Sequence, residues 1–354
     1  MRIAVFLPNW LGDAVMATPA LRAIRERFAA DHLAAVVRPH LVELFNGTRW
    51  FDAFHPADFR EGRPLAGRWD LIRRLRRERF DRIVLLTNSF GSALLAFLSG
   101  VRERIGYRRA GRGWLLTEMP AAPHRGAAVP MVDYYLHVAA CLGATNLSPR
   151  LELGATVAEE RQAAGVFAAL GLNRDDRVVA LNCSGAFGAA KLWPRAHFAA
   201  LARQIVERLD HDVLVLCGPS ERHLAREIAE RAASPRVVSL ADQPVGLGLT
   251  KGCLRRTRLL VTTDSGPRHV AAAYGVPVVT LFGPTDPMWV ANPTVRGIDV
   301  RLPARALDCL GCGRRTCPRG DHACMQRLKP AAVFPAVADL LGQPSALRRQ
   351  PQAA

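Results

Sequence analysis

Val261-Thr262-Thr263-Asp264-Ser265-Gly266-Pro267-Arg268-His269 joins an apolar run to a helical pattern. Residues 259–262 predict a buried strand, the polar residues predict a sharp turn, and Pro267 suits the first position of a helix, where no intrahelical N–H bond is lost. Asp264 or Ser265 can cap this helix, and Gly266 lets the backbone approach a ligand. A helix start at the carboxyl end of a parallel strand favours an anion such as phosphate. An ordinary strand-to-helix cap fits the same residues, so both interpretations stay open here.

Strands alternate with helices on both sides of this stretch. Predicted strands in the first half cover residues 2–7, 33–37 and 81–86, and those in the second half cover residues 177–182, 212–217, 236–240 and 276–282. This order indicates parallel sheets with right-handed crossovers. The pattern weakens between Pro149 and Arg161. We predict an α/β protein of two doubly wound domains, 1–160 and 161–330, facing a central cleft, then a helix at 331–342 and a flexible tail at 343–354.

Length and composition limit the class of protein. The chain has 354 residues, of which 49% are hydrophobic and 22% are charged, and this balance indicates globular domains with buried cores. It has no apolar run of about 18 residues. Pro8, Asn9 and Asp13 interrupt the apolar N-terminus too early for a signal peptide. We therefore expect a cytoplasmic protein.

The formal net charge is +17, and arginine carries nearly all of it, because the only lysines are Lys191, Lys251 and Lys329. A strongly basic protein tends to meet polyanions or an anionic membrane surface. The densest basic run covers residues 68–82, where aromatic residues flank the arginines rather than alternate with them. We therefore expect no nucleic-acid binding, and the run is typical of a solvated helix face.

Several common motifs are missing or incomplete. No G-x-G-x-x-G sequence follows the first predicted strand, which argues against a nicotinamide or flavin enzyme. The loop at residues 185–191 is rich in glycine and alanine but is not a Walker A sequence, because Leu192 stands in place of Ser or Thr. Asp210-His211-Asp212 precedes a strand and so lies opposite the expected ligand edge, which excludes it as a metal site.

Three strand-end loops in the second half predict one nucleotide-diphosphate site, because each meets a helix start. The lysine in this set supplies a point charge for the diphosphate, and the glutamate is placed for ribose or sugar hydroxyls. For Lys191 the alternative is an exposed loop lysine, and for His269 it is a structural histidine. The predicted donor-binding residues are Ser184, Gly185, Lys191, Glu221, Asp264, Ser265, Gly266 and His269.

Asp13 lies in the loop after the first predicted strand, on the side of the expected cleft. A carboxylate there can accept a proton from an attacking hydroxyl. A helix N-cap is the alternative role, since aspartate favours that position.

At these residues the chain resembles the ADP-heptose:lipopolysaccharide heptosyltransferases of glycosyltransferase family 9. The matching segments are 8–13 with 16–22, then Asp264-Ser265-Gly266 with 269–273, and 283–287. Residues 317–325, which include Cys317-Pro318 and Cys324-Met325, resemble the heptosyltransferase II branch in particular.

The resemblance implies a GT-B fold and an inverting transfer of L-glycero-D-manno-heptose from ADP-heptose to the inner core of lipopolysaccharide. It implies Asp13 as the general base, Lys191 and Glu221 as donor-binding residues, and a diphosphate at the 264–266 turn. It implies no required cofactor, and a peripheral location on the anionic cytoplasmic face of the inner membrane. A different donor sugar or acceptor glycan, or a nucleotide-sugar-binding protein without catalysis, are the alternatives. Pro267-Arg268 and the Gly-rich residues 241–252 depart from the family pattern.

Cys309, Cys312, Cys317 and Cys324 form the pattern C-x2-C-x4-C-x6-C, with His322 nearby. This set is chemically suited to a structural zinc ion. The alternatives are reduced thiols packed in a loop, or a disulfide, which the cytosol disfavours. Elemental analysis of the purified protein distinguishes them.

Overall fold

The computed structural model describes residues 1–58, 65–123, 129–183, 185 and 188–342. Contacts divide the chain into two compact units. Unit 1 comprises Met1–Gly154 and Met288–Asn292, and unit 2 comprises Ala155–Pro287 and the described residues from Pro293 onward. The flexible tail predicted for residues 343–354 lies outside the described residues.

Unit 1 is built on a five-stranded sheet with the order β3-β2-β1-β4-β5, in which every neighbouring pair is parallel. The central strand is buried along most of its length, as expected for a parallel strand covered on both faces. The strands are β1 (Arg2–Phe6), β2 (His32–Val37), β3 (Ala53–Pro56), β4 (Arg82–Leu85) and β5 (Glu103–Ile105). The helices are α1 (Leu11–Met16), α2 (Thr18–Arg27), α3 (Leu65–Glu78), α4 (Phe90–Leu98) and α5 (Met131–Cys141).

Pro19 explains why the helical residues after β1 form two helices, α1 and α2. The structure breaks the helix at Ala17, so that α1 ends at Met16 and α2 begins at Thr18. Pro19 therefore lies in the first turn of α2, where its missing N–H would have no intrahelical partner.

Unit 2 is built on a six-stranded sheet with the order β11-β10-β9-β6-β7-β8, again with parallel pairs throughout. The strands are β6 (Val178–Asn182), β7 (Asp212–Leu216), β8 (Val237–Ser239), β9 (Leu259–Thr263), β10 (Val278–Phe282) and β11 (Gly297–Arg301). The helices are α6 (Val157–Ala169), α7 (Arg195–Leu209), α8 (Arg222–Ala232), α9 (Leu247–Arg255), α10 (Gly266–Ala273), α11 (Ala323–Gln326) and α12 (Pro330–Gly342). The α/β class with two doubly wound parallel sheets is confirmed.

One glycine of the Gly-rich segment brings α9 close to α6. A Cβ atom on Gly252 would lie 2.7 Å from the Cβ of Ala163 and 2.8 Å from the carbonyl oxygen of Glu159. The same pair of helices is joined by a buried hydrogen-bonded ion pair, in which Lys251 Nζ lies 3.1 Å from Glu159 Oε1. Gly252 therefore serves helix packing within unit 2.

Candidate active site

Three strand-end loops of unit 2 meet at the carboxyl edge of its sheet. Strands β9, β6 and β7 are adjacent in the sheet, so the loops that follow Thr263, Asn182 and Leu216 emerge side by side. The structure thus brings together the loops that the sequence pattern assigned to one site. Ser184 lies outside the described residues, whereas Gly185 is described.

Lys191 and Asp264 form a buried ion pair at this edge. Lys191 Nζ donates to the carboxylate Oδ2 of Asp264 at 2.7 Å and to its carbonyl oxygen at 2.9 Å. The two side chains are 9% and 11% exposed, which is contrary to the alternative of an exposed loop lysine. Burial alone would raise the pKa of Asp264, but the charge and hydrogen bond of Lys191 outweigh it and lower the pKa. The pair therefore places a cation and an ionised carboxylate beside the start of α10.

A network of three polar side chains braces the same turn. Asn182 Nδ2 donates to Thr262 Oγ1 and to Ser265 Oγ, each at 2.9 Å, and the two hydroxyls lie 3.0 Å apart. Asn182 and Thr262 are register partners in adjacent strands, and both are buried. Asn182 was not among the site residues predicted from the sequence. The signal was an amide at the end of an otherwise apolar strand, which requires hydrogen-bond partners when it is buried.

Helix α10 begins differently from the sequence-based expectation. Ser265 occupies the N-cap position and Gly266 the first helical position, so Pro267 is the second residue of the helix. Neither Asp264 nor Ser265 caps the helix through its side chain, because one bonds Lys191 and the other bonds Asn182. The prediction of a side-chain cap is therefore wrong. The first turn presents backbone N–H groups that no capping side chain occupies, which favours an anion there.

Glu221 holds two neighbouring loops by their backbones. Its Oε2 accepts from the N–H of Gly218 at 3.0 Å, and its Oε1 accepts from the N–H of Gly185 at 3.4 Å. Gly188 adopts a φ of 151°, and a Cβ there would lie 2.4 Å from the carbonyl oxygen of Arg315. The loop that carries Lys191 is thus fixed on one side by Glu221 and on the other by the 315 backbone.

His269 and Arg268 are buried on the first turns of α10. Burial, with the positive charge of Arg268 beside it, lowers the pKa of His269 to about 3, so the imidazole is neutral near pH 7. The Arg268 guanidinium lies 5.2 Å from the ring centroid of Phe282 and 3.3 Å from Asp299 Oδ1. In the sequence, Arg268 stood out only as a departure from the family pattern. In the structure it is a buried cation beside the turn.

In unit 1, Asp13 is the third residue of α1, and Trp10 is its N-cap. The alternative that Asp13 is the N-cap is therefore wrong. Tyr135 donates its hydroxyl to Asp13 Oδ1 at 3.5 Å, and burial, together with the charge of Asp13, raises the pKa of Tyr135 well above its usual value. Tyr135 thus stays a neutral donor. This contact was not predicted, because Tyr135 is more than a hundred positions away and only the α5 packing reveals it.

The cysteine cluster follows β11 and leads into α11. All four thiols are free. Among the residues that the structure describes, no group of three or more His, Cys, Asp or Glu side chains is arranged to hold a metal ion. Cys324 lies under the 283 turn, since a Cβ on Gly283 would be 3.0 Å from its sulfur. Structural zinc stays a prediction that elemental analysis can test.

Within the described ranges, no helix has the length and apolar character needed to cross a bilayer.

Comparisons with known proteins agree with this architecture. The model of glycosyltransferase family 9 (heptosyltransferase) matches residues 68–319. Lipooligosaccharide heptosyltransferase 2 of Campylobacter jejuni is 26% identical over 346 residues, which cover 96% of this chain and 98% of the relative. The crystal structure of a family 9 glycosyl transferase from Veillonella parvula matches with a TM-score of 0.81 at 23% identity, over 96% of this chain and 97% of that one. The structure of the ADP-heptose LPS heptosyltransferase II of Escherichia coli matches with a TM-score of 0.76 at 25% identity, over 96% and 98%.

The family match covers well over half of the chain, and the two parallel-sheet units correspond to the GT-B-like structures of that family. The resemblance seen in the sequence is therefore confirmed. This chain is a glycosyltransferase and belongs to glycosyltransferase family 9, the heptosyltransferases.

Proposed function

We propose that the protein transfers L-glycero-D-manno-heptose from ADP-heptose to the inner core of lipopolysaccharide, with inversion at the anomeric carbon. The observation that carries the proposal is the buried Lys191–Asp264 pair at the start of α10. Asp264 holds the Lys191 ammonium beside the uncapped N–H groups of α10. The ammonium and these N–H groups together are suited to a diphosphate leaving group. The names of the heptosyltransferase 2 relatives support the choice of sugar and acceptor.

Unit 2 holds the donor in this mechanism. The C–O bond between heptose and the diphosphate breaks with its electrons on the ADP oxygen, so negative charge grows there in the transition state. Fixed donors aimed at that oxygen lower the barrier, by about 3 kcal/mol for each well-placed group. Lys191 and the backbone N–H groups at Ser265 and Gly266 supply such donors, and Glu221 keeps the 185–191 loop in place.

Unit 1 supplies the base. Asp13 accepts the proton of the acceptor hydroxyl while the hydroxyl oxygen forms its bond to the anomeric carbon. The Tyr135 hydroxyl, a neutral donor at 3.5 Å, orients the carboxylate. Attack from the face opposite the leaving ADP gives inversion.

The proposed acceptor is anchored in lipid, so the enzyme works at the cytoplasmic face of the inner membrane. The net charge of +17 supports contact with that anionic surface. No cofactor enters the proposed reaction, and ADP-heptose is a substrate.

The test is ADP release from ADP-heptose in the presence of a heptose-deficient inner-core acceptor. Asp13→Asn keeps the shape of the side chain but removes its basicity, so we expect kcat to fall by about 10²–10⁴ while ADP still binds. Asp70→Asn, on the exposed face of α3, is the matched control and keeps full turnover. Undiminished kcat in Asp13→Asn contradicts the assignment of the base.

A donor panel separates the proposed substrate from the alternatives. ADP-heptose should give turnover that other nucleotide sugars do not match. Turnover with a different nucleotide sugar alone assigns another donor to the same fold. Donor binding without any transfer, in a well-folded sample with a full acceptor panel, assigns a non-catalytic binding protein.

A further inference from the structure

Unit 1 displays an exposed aromatic triad, which we define as Phe90, Phe97 and Trp114. The three side chains are 40%, 44% and 69% exposed. The Trp114 ring centroid lies 6.1 Å from that of Phe90 and 6.3 Å from that of Phe97. Large aromatic side chains usually bury most of their surface, and a contiguous exposed patch of them marks an interaction site.

The triad rests on rigid structure. Phe90 and Phe97 are seven positions apart on α4, which places them on one face of the helix. Trp114 lies in the 3-10 turn Gly113–Leu115, and its neighbour Leu115 is fully buried in the hydrophobic core with Ala93 and Ala96 of α4. The exposure of the three rings is therefore fixed by the packing of the backbone beneath them.

Three arginines surround the triad. The Arg104 guanidinium lies 5.4 Å from the ring centroid of Phe97 and donates to the carbonyl of Leu115 at 2.7 Å. Arg76 of α3 donates to the carbonyl of Leu98, at the end of α4, at 2.7 and 3.0 Å. The Arg108 Nε lies 3.1 Å from the position that a Cβ on Gly113 would take, beside Trp114. Within the part of the chain that the structure describes, none of these arginines pairs with a carboxylate.

We propose that this triad, with Arg76, Arg104 and Arg108, is the surface by which the protein docks on an anionic phospholipid bilayer. Aromatic rings are favourable at the level of lipid headgroups, where apolar faces meet acyl chains and polar edges meet water. Arginine at the rim of such a patch binds lipid phosphates by charge-assisted hydrogen bonds.

An anionic bilayer matches both parts of this surface, the aromatic rings and the surrounding arginines. The strength of peripheral membrane binding grows with the apolar area buried at the interface and with electrostatic attraction to anionic lipids, and this surface offers both. An apolar protein partner would match the rings but would leave the rim charges without counterions. The inference extends the proposed function by assigning its membrane contact to particular residues, and its test needs no turnover.

The test is sedimentation of the full-length protein with large unilamellar vesicles of phosphatidylglycerol and phosphatidylethanolamine. We expect wild-type protein to bind these vesicles and to bind pure phosphatidylcholine weakly. The double variant Phe97→Ala/Trp114→Ala should lower the partition coefficient at least tenfold. Arg108→Ala should lower it about fivefold, an effect that disappears at high salt.

Two control variants test whether the effect is specific to the triad and its arginines or arises from any exposed tryptophan or arginine. Trp289→Ala removes a tryptophan that is 49% exposed and belongs to none of the triad ring contacts. Arg161→Ala removes an exposed arginine of α6 in unit 2. Both should bind as the wild type does. Equal binding by the double variant and the Trp289 control overturns the proposal, as does wild-type binding that requires acceptor saccharide in the vesicle.

Discussion

At the scale of individual residues, the Lys191–Asp264 pair is the feature that most constrains the candidate site. Both side chains are almost fully buried, and the lysine donates to the carboxylate and to the backbone of the same aspartate. Removal of one member of a buried pair leaves an uncompensated charge, which is more destabilising than removal of both. The pair therefore ties the conformation of the 264 turn to that of the 185–191 loop.

A double-mutant cycle tests this coupling. Lys191→Met and Asp264→Asn should each lower the free energy of unfolding by about 3–5 kcal/mol, and the double variant should lose clearly less than the sum. Urea unfolding at neutral pH measures the three differences. The exposed pair Arg73 and Asp70 is the control, for which all variants should change stability little. Additive losses at Lys191 and Asp264 would contradict the coupling.

His269 predicts a pH dependence of stability. Its pKa in the folded protein is lowered from 6.5 to about 3, so as pH falls below 6.5 the unfolded chain binds a proton that the folded chain does not. The stability contributed is present above the unfolded pKa and is lost on acidification. Between pH 6.5 and 5.5 the loss should be about 1 kcal/mol.

Urea unfolding at these two pH values checks that expectation against His269→Gln, which cannot bind the proton. The variant should lose about 1 kcal/mol less than the wild type over this interval. His223→Gln, at an exposed position of α8, should behave like the wild type. An equal loss in wild type and His269→Gln would show that the imidazole does not control the effect.

At the scale of elements, the loop that ends in the turn Ala189–Lys191 is shaped by its contact with the 315 backbone. Gly188 holds a positive φ, and the N–H of Ala190 donates to the carbonyl of Arg315 at 3.2 Å. A side chain on Gly188 would meet that carbonyl at 2.4 Å, and a backbone atom cannot move aside as a flexible side chain can. The backbone at Arg315, in the segment between β11 and α11, therefore fixes the loop that carries Lys191.

Gly188→Ala should displace this loop and weaken ADP binding by about tenfold or more, because donors placed by the loop lose their geometry. Gly171→Ala is the control, since Gly171 also has a positive φ but a Cβ on it would meet no atom within 4 Å. Both variants incur backbone strain of about 1–3 kcal/mol, and only Gly188→Ala adds a clash. Isothermal titration with ADP distinguishes them, and equal affinities would exclude a role for the contact.

The elements were more predictable from sequence than the contacts between them. Buried parallel strands such as β6 and β9 read as apolar runs, and glycine and proline mark their ends, so two doubly wound units follow from local pattern. The Asn182–Thr262–Ser265 network depends on strand register, and the Tyr135 contact depends on helix packing. Neither the strand register nor the helix packing can be inferred from the local spacing of apolar residues. Lys191 was predicted as a site residue because a lysine is rare in this arginine-rich chain, and the structure shows it buried against Asp264.

At the scale of the whole molecule, the proposed roles divide between two units with separate sheets and cores. Asp13 belongs to unit 1, whereas Lys191, Glu221 and the 264–266 turn belong to unit 2. Donor binding and proton transfer should therefore respond to different substitutions. The membrane contact inferred for the triad also belongs to unit 1.

Hydrogen exchange in the presence of ADP tests the division. At a hundred times its Kd, ADP should stabilise the form to which it binds by about 2.7 kcal/mol. Exchange should slow at the carboxyl ends of β6 and β9 and at the start of α10, and change little in β1 and β4. Lys191→Gln should remove the slowing, whereas Asp13→Asn should retain it. Protection confined to unit 1 would refute the assignment of the donor site.

The close approach of α9 to α6 has an evolutionary consequence. Gly252 leaves no room for a methyl group between itself and Ala163. Glycine at 163 would not make enough room, because a Cβ at 252 would also lie 2.8 Å from the carbonyl oxygen of Glu159, so a lineage that acquires alanine or serine at 252 must shift the first helix of unit 2. Sequences of descendants should therefore retain glycine at 252, and the ion-pair partners at 159 and 251 should be gained or lost together.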